Sequence, residues 1–169
     1  MNKEDILTGL SAFNNSYWKG IFYPEDLPAA KRFDYYCGLF KTYEINSTFY
    51  KFPTIKSLKN WYNKSPDDFV FAVKAHKGIT HYKRFVDCKA EIDEFYNLCR
   101  EGLGSKLGPV LFQLPPSFSY SRERLNLIIS SLNPEFNNVV EFRNESWWTQ
   151  EVFDAFARHG ITFCSVSYP

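Results

Sequence analysis

Glu44 and Asn46 stand two residues apart at the end of a short apolar run, as do Glu141 and Arg143 with Phe142 between them. In an extended strand alternate side chains share a side, so each pair projects together. A carboxylate beside an amide or a guanidinium suits proton transfer next to a grip on an anion. Lys74 closes the run Phe-Ala-Val, and Gln113 precedes Leu-Pro-Pro. An ammonium in that place suits binding of phosphate or carboxylate, or service as a base or Schiff-base amine where desolvation lowers its pKa. The amide offers a neutral donor and acceptor to orient a ligand. Glu44, Lys74 and Glu141 are the candidate catalytic groups, with Asn46, Gln113 and Arg143 as candidate substrate-binding groups.

Structural alternatives stand beside these roles. Lys74 can serve as an ion-pair partner of Glu44 or Glu141, Glu141 can bridge internally to Arg143, and Glu44 can cap a neighbouring loop. His76 and His81 follow Lys74 closely, where a base or metal ligand is useful, and His81 is taken as a substrate-binding residue. Two histidines without matching acidic or histidine partners elsewhere do not make a metal site, and none is expected. The 13–23 stretch carries Phe13, Tyr17, Trp18, Phe22 and Tyr23 where no periodicity requires them, so Tyr17 and Trp18 are expected to line a pocket. Trp147 and Trp148 follow Arg143 at the head of a helical pattern. Trp147 is expected to stack on a sugar ring or nucleobase, and Trp148 to pack against the next helix.

The elements that must position these groups alternate along the whole chain. Short apolar runs predict strands at 6–12, 43–45, 69–74, 110–113, 138–142 and 161–165. Between them lie helical patterns. The first spans about 28–40, with Phe33, Tyr36, Cys37 and Phe40 on one face. The second is capped by Thr54 and carries Leu58, Trp61 and Tyr62; a loop over 75–87 then leads to a stripe of Ile92, Phe95, Tyr96 and Cys99 closed by Gly102 or Gly104. Leu125, Ile128, Ile129 and Leu132 mark the next helix, and the last runs from a Thr149 cap through Val152, Phe153 and Phe156 to Gly160. Strands alternating with helices argue for right-handed βαβ units and a parallel sheet, hence an α/β fold. Glu44, Asn46, Lys74, Gln113, Glu141, Arg143 and Ser165 all fall at strand ends, where βα loops of a parallel barrel build the site.

At 169 residues the chain is long enough for one domain with a real core. Lys and Arg total 20 against 19 Asp and Glu, a net charge of +1, so no global field recruits nucleic acid or an anionic membrane. The four cysteines, Cys37, Cys88, Cys99 and Cys164, are widely spaced and read as buried thiols. No run approaches the roughly 20 apolar residues that span a bilayer, and the first ten residues lack the apolar region of a signal peptide. The chain is read as soluble and cytoplasmic. No GxGxxG, GxxxxGK[ST], GxSxG or HExxH pattern occurs, so the residues specify no cofactor.

Four ordered motifs carry a resemblance: YEINSTFY (43–50), FAVKAHKGITH (71–81), LGPVLFQLPPSF (107–118) and VVEFRNESWW (139–148), joined by Tyr17, Trp18, Phe22, Tyr23 and Pro24. The sequence resembles the YecE-like family, family 72 among domains of unknown function, from Ile6 to its last residue. The resemblance implies a TIM-like (β/α) barrel, related in architecture to barrels of the sugar-isomerase and AP-endonuclease type, and brings no established activity. Family members continue for about 70 to 80 residues beyond the positions of Tyr168 and Pro169, and an eight-strand barrel takes about 250 residues. The expectation is a single YecE-like domain over 1–169, an incomplete barrel of about six parallel strands lacking the last two β/α units. Its open edges invite self-association.

The expected function is an enzyme acting on a small polar, anionic or sugar-like substrate at the C-terminal barrel face, by hydrolysis, isomerisation or lyase chemistry. Two alternatives accompany it. One is a nucleic-acid binder or AP-endonuclease-like repair protein, by fold analogy alone. The other is a truncated barrel retaining only an interaction role.

Overall fold

Strands separated by helices return in the same direction, and each apolar run here meets its neighbour side by side. The computed structural model describes residues 6–167. Tyr168 and Pro169, where the resemblance ends, lie outside the described residues. Six strands, β1 (Gly9–Leu10), β2 (Thr42–Ile45), β3 (Val70–Lys74), β4 (Leu107–Leu114), β5 (Asn138–Phe142) and β6 (Thr162–Cys164), form one sheet in sequence order. Every neighbouring pair is parallel. Between the strands lie α1 (Arg32–Leu39), α2 (Ser47–Tyr50), α3 (Ile55–Lys64), α4 (Lys89–Leu103), α5 (Arg122–Ser131) and α6 (Gln150–Arg158). The sheet curls into a half-barrel with β1 and β6 as its two edges among the described residues; the alternation predicts the parallel α/β sheet, and the resemblance implies the incomplete barrel.

Burial along the strands shows which side faces what. In β3 the buried residues are Phe71 and Val73, and Val70, Ala72 and Lys74 are half-buried between them. In β2 Tyr43 and Ile45 are buried and Thr42 and Glu44 are not. The core therefore lies between the outer face of the sheet and the helices, where Phe112 meets Phe85 and Tyr96, and Phe142 meets Trp147 and Phe156. Glu44, Lys74, Gln113 and Glu141 take the opposite parity and point to the concave side.

Local chemistry explains where the elements stop. Thr54 and Ser57 exchange side-chain and backbone hydrogen bonds in a full capping box at the start of α3. Ser121 and Thr149 cap α5 and α6. The first helix begins later than expected: a 3₁₀ turn, Ala29–Lys31, precedes α1. β1 is shorter than the expected 6–12, and its pairing is side-chain assisted. The Tyr36 hydroxyl accepts from the Leu10 amide at 2.8 Å and donates to the Thr42 carbonyl at 2.7 Å, standing between the two strands. The strands approach so closely here that a Cβ on Gly9 would lie 2.3 Å from the Thr42 carbonyl oxygen. β4, in contrast, extends well beyond the expected 110–113, with a register irregularity against β3. The expected loop at 75–87 contains a π-helical turn, Gly78–Lys83.

Candidate functional site

The strand ends bring four of the sequence-derived groups to one rim. β4 and β5 pair in register with Gln113 opposite Glu141, and Cys164 of β6 lies opposite Glu141 on its other side. Arg143 Nε donates to Glu141 Oε1 at 3.0 Å. The pair is unevenly shielded, since the Glu141 side chain is 10% exposed and that of Arg143 38%. Gln113 is buried, and its Oε1 has no hydrogen-bond partner among the described residues.

Glu44 and Lys74 complete the cluster from β2 and β3. Burial raises the Glu44 pKa above the ordinary glutamate value; Lys74 and a hydrogen bond from Asn46 oppose it, and Glu141 reinforces it. Burial likewise lowers the Lys74 pKa below the ordinary lysine value, with Glu44 and Glu141 pulling it up and Arg143 pushing it down. Desolvation thus outweighs the mutual attraction of a carboxylate and an ammonium, and each is drawn toward its neutral form. Glu44, Lys74, Glu141 and Arg143 feel one another across three strands. Cys164 belongs to the same neighbourhood: burial raises its thiol pKa, and Glu141 and Glu44 add to the rise.

The loops after β2 and β3 wall this cluster. Thr48 Oγ1 lies 2.7 Å from the Lys74 carbonyl oxygen and 2.9 Å from that of Ile45, sharing its single proton and tying α2 to two strand ends. That anchor places Phe49 over the lysine, with Nζ 4.9 Å from the ring centre. The His81 ring packs edge-on against Phe49 at 4.9 Å, and its Nδ1 lies 2.9 Å from Thr80 Oγ1. Burial lowers the His81 pKa, and the charges of Lys74, Arg143 and Arg84 lower it further. His81 therefore joins the rim as a neighbour of its cations.

After the π-helical turn the chain reverses through left-handed backbone at Arg84 (φ 51°), Phe85 (φ 69°) and Asp87 (φ 48°), none of them glycine. The buried Phe85 ring against Phe112 and the Arg84 bond to Ser117 Oγ at 3.2 Å hold that conformation in place. Asn46 acts partly as a brace, donating from Nδ2 to the Ser11 carbonyl at 3.0 Å and so joining the ends of β1 and β2. On the concave face Gly9, Leu10, Ser11, Thr42, Glu44 and Ala72 line a cavity of ≈ 310 Å³ that reaches Glu44.

Five aromatic or histidine expectations resolve differently. Trp147, expected to face a ligand, is wholly buried: it lies flat on Phe142 at 4.1 Å and parallel to Phe118 at 5.4 Å, and its Nε1 donates to the Phe118 carbonyl at 2.7 Å. An indole whose faces and N–H are all engaged cannot stack on a substrate. Trp148, expected to pack, is 43% exposed, with its edge against Phe163. Of the two rings, the one expected to face a ligand is the buried one. Tyr17 is 84% exposed, and Trp18 packs on Phe22 and Tyr23 within the loop's own aromatic cluster. His76 accepts the Gly78 amide at Nδ1 (3.1 Å) and packs against Phe52, a loop-holding role. Among the described residues no group of three or more His, Cys, Asp or Glu side chains is gathered for a metal ion, and no helix is long and apolar enough to cross a membrane.

Phe49, Thr48, Arg84 and Cys164 are rim residues that sequence reasoning passes over. The STFY stretch is too short to show helical periodicity. Cys164, by its alternate position in the sixth strand, is the one whose placement strand parity already contains.

Comparisons with known proteins bear on the family and the fold. The family model described as "Protein of unknown function DUF72" matches residues 7–169. The UPF0759 protein YunF of Bacillus subtilis is 27% identical over 139 residues, covering 78% of this chain and 49% of that protein. The UPF0759 protein YecE of Escherichia coli K12 is 30% identical over 117 residues, covering 68% of this chain and 42% of that protein. The chain thus spans about half the length of the curated relatives it matches. Among solved structures, a DUF72 family protein from Thermotoga maritima superposes with a TM-score of 0.79 at 32% identity, over 93% of this chain and 63% of that one. A DUF72 family protein from Enterococcus faecalis superposes with a TM-score of 0.60 at 19% identity, over 76% of this chain and 56% of that one, a likeness of fold.

Proposed function

The chain belongs to the DUF72 family, and on that footing we propose that it is an enzyme acting on a small, polar, anionic substrate held at the C-terminal rim of the half-barrel. The observation that carries this reading is the convergence of Glu44, Lys74, Glu141 and Arg143 from β2, β3 and β5 in a setting where burial draws Glu44 and Lys74 toward neutrality. A structural salt-bridge network gains by keeping its charges; a site that strains them toward neutral forms is poised for a charged ligand.

In this reading an anionic group of the substrate sits against Lys74 and Arg143 and restores the full charge of the lysine. Glu44, holding its proton to higher pH than an ordinary glutamate, donates it to the reacting group, and Glu141, oriented by Arg143, accepts one. Phe49 and His81 form the apolar wall that limits water. The reaction is a proton-transfer step of the hydrolase, isomerase or lyase kind.

The test is calorimetric titration of glycerol 3-phosphate into the wild-type chain and into Lys74→Ala and Arg143→Ala. Saturable binding that weakens by about tenfold or more in each variant supports the reading. No binding at millimolar ligand, or equal affinity in all three proteins, contradicts it.

A further inference from the structure

Gln113 sits in the β4–β5 pair of the rim, opposite Glu141, and is only 5% exposed. Its Oε1 is a buried acceptor with no partner among the described residues. Buried polar atoms are almost always hydrogen-bonded, and leaving one unpaired works against stability. Leucine or methionine would fill the same place at no such penalty, as Leu111 does two residues earlier on the same strand. An acceptor kept there against the interest of the fold has a use that arises when something else is bound. Gln113 has the concave parity of Glu141, and Glu141 is coupled electrically to Lys74 and Glu44. The orphaned oxygen therefore belongs to a side chain on the same side of the sheet as Lys74 and Glu141, the side on which a ligand gripped by Lys74 and Arg143 would lie.

We propose that Gln113 Oε1 accepts a hydrogen bond from a hydroxyl of the substrate, so that the rim selects hydroxylated anions, polyol phosphates or hydroxy acids, over equally charged anions that lack the hydroxyl. This rests on the proposed anion site at Lys74 and Arg143 and narrows its substrate class. An acceptor-only atom in a dry setting discriminates strongly, because a ligand without the donor leaves it as unpaired as before. The phosphate or carboxylate is read by the cations; the carbon skeleton is read by the glutamine.

The test compares matched ligands on the wild type and on Gln113→Met, with Gln113→Leu as a second variant. Glycerol 3-phosphate is set against n-propyl phosphate, and glycerate against propionate, so that each pair differs in hydroxyls and shares its charge. The wild type is expected to prefer the hydroxylated member of at least one pair by about tenfold, the pair showing which anion is used, and both variants to lose that preference. Both variants are also expected to melt at a higher temperature than the wild type, a gain that a glutamine with a purely structural bond would not give. A wild type that shows no preference within either pair while binding at least one of the four, or variants that keep the preference, overturns the role of Gln113 while leaving the anion site standing. A wild type that binds none of the four overturns both.

Discussion

Arg143 donates from Nε to Glu141 Oε1 at 3.0 Å, yet the carboxylate is nearly buried and the guanidinium more than a third exposed. The bond joins two side chains at one strand end, so the guanidinium orients the acid. Their unequal shielding makes the two halves of the bond unequal in what their loss does.

Arg143→Met leaves a shielded carboxylate short of a charged donor and is expected to destabilise by about 1 to 3 kcal/mol. Glu141→Gln leaves a guanidinium that water reaches, and is expected to cost less than Arg143→Met. Urea denaturation of both variants checks this. Equal losses, or a larger loss in Glu141→Gln, contradict the ordering.

The adjacent tryptophans separate cleanly. Trp147→Ala removes a wholly buried indole packed on Phe142 and Phe118 and strands the Phe118 carbonyl, so a loss of about 3 to 5 kcal/mol is expected. Trp148→Ala touches a partly exposed ring and is expected to cost under about 1 kcal/mol. Melting curves of the two variants decide the matter, and similar shifts would contradict the assignment.

That pair also shows where reading the chain stops. The strands were legible as short apolar runs between helical patterns, and parity carries straight through to the rim: Glu44, Lys74, Gln113 and Glu141 share the concave side as their spacing implies. Trp147 and Trp148 sit in a turn of three residues, Glu145–Trp147, and its boundary, where no period says which ring turns inward. Phe49 comes from a helix of four residues, and the left-handed backbone at Arg84, Phe85 and Asp87 is imposed by packing of Phe85 rather than by glycine. The length of β1 depends on a phenol 26 residues away. Contacts of that range leave no local signature.

Acid should weaken the loops that wall the site. Burial lowers the pKa of both His76 and His81 below the ordinary 6.5. In the unfolded chain both take up protons near that value, whereas the folded state resists. Their contribution is therefore complete above pH 6.5 and lost as pH falls through the lowered values. Stability is expected to fall between pH 7.5 and 5.5, and His76→Gln with His81→Gln to flatten that fall. Chemical denaturation at the two pH values is the check, and an unchanged slope in the double variant would contradict it.

Among the described residues the half-barrel has two edges, β1 and β6, with no further strand beside either in the sheet order. We expect the chain to self-associate through them at tens of micromolar. Light scattering is the check, and a stable monomer across that range would contradict the expectation.

Groups from the ends of β2 and β5 act on Lys74 at the end of β3. The most direct measurement is the titration of the Lys74 ammonium by heteronuclear magnetic resonance in the wild type and in Glu44→Gln, Glu141→Gln and Arg143→Met. Glu44 and Glu141 each raise its pKa and Arg143 lowers it, so the value should drop further in the first two variants and climb in the third. A Lys74 titration indifferent to all three substitutions would mean that these side chains do not share a site.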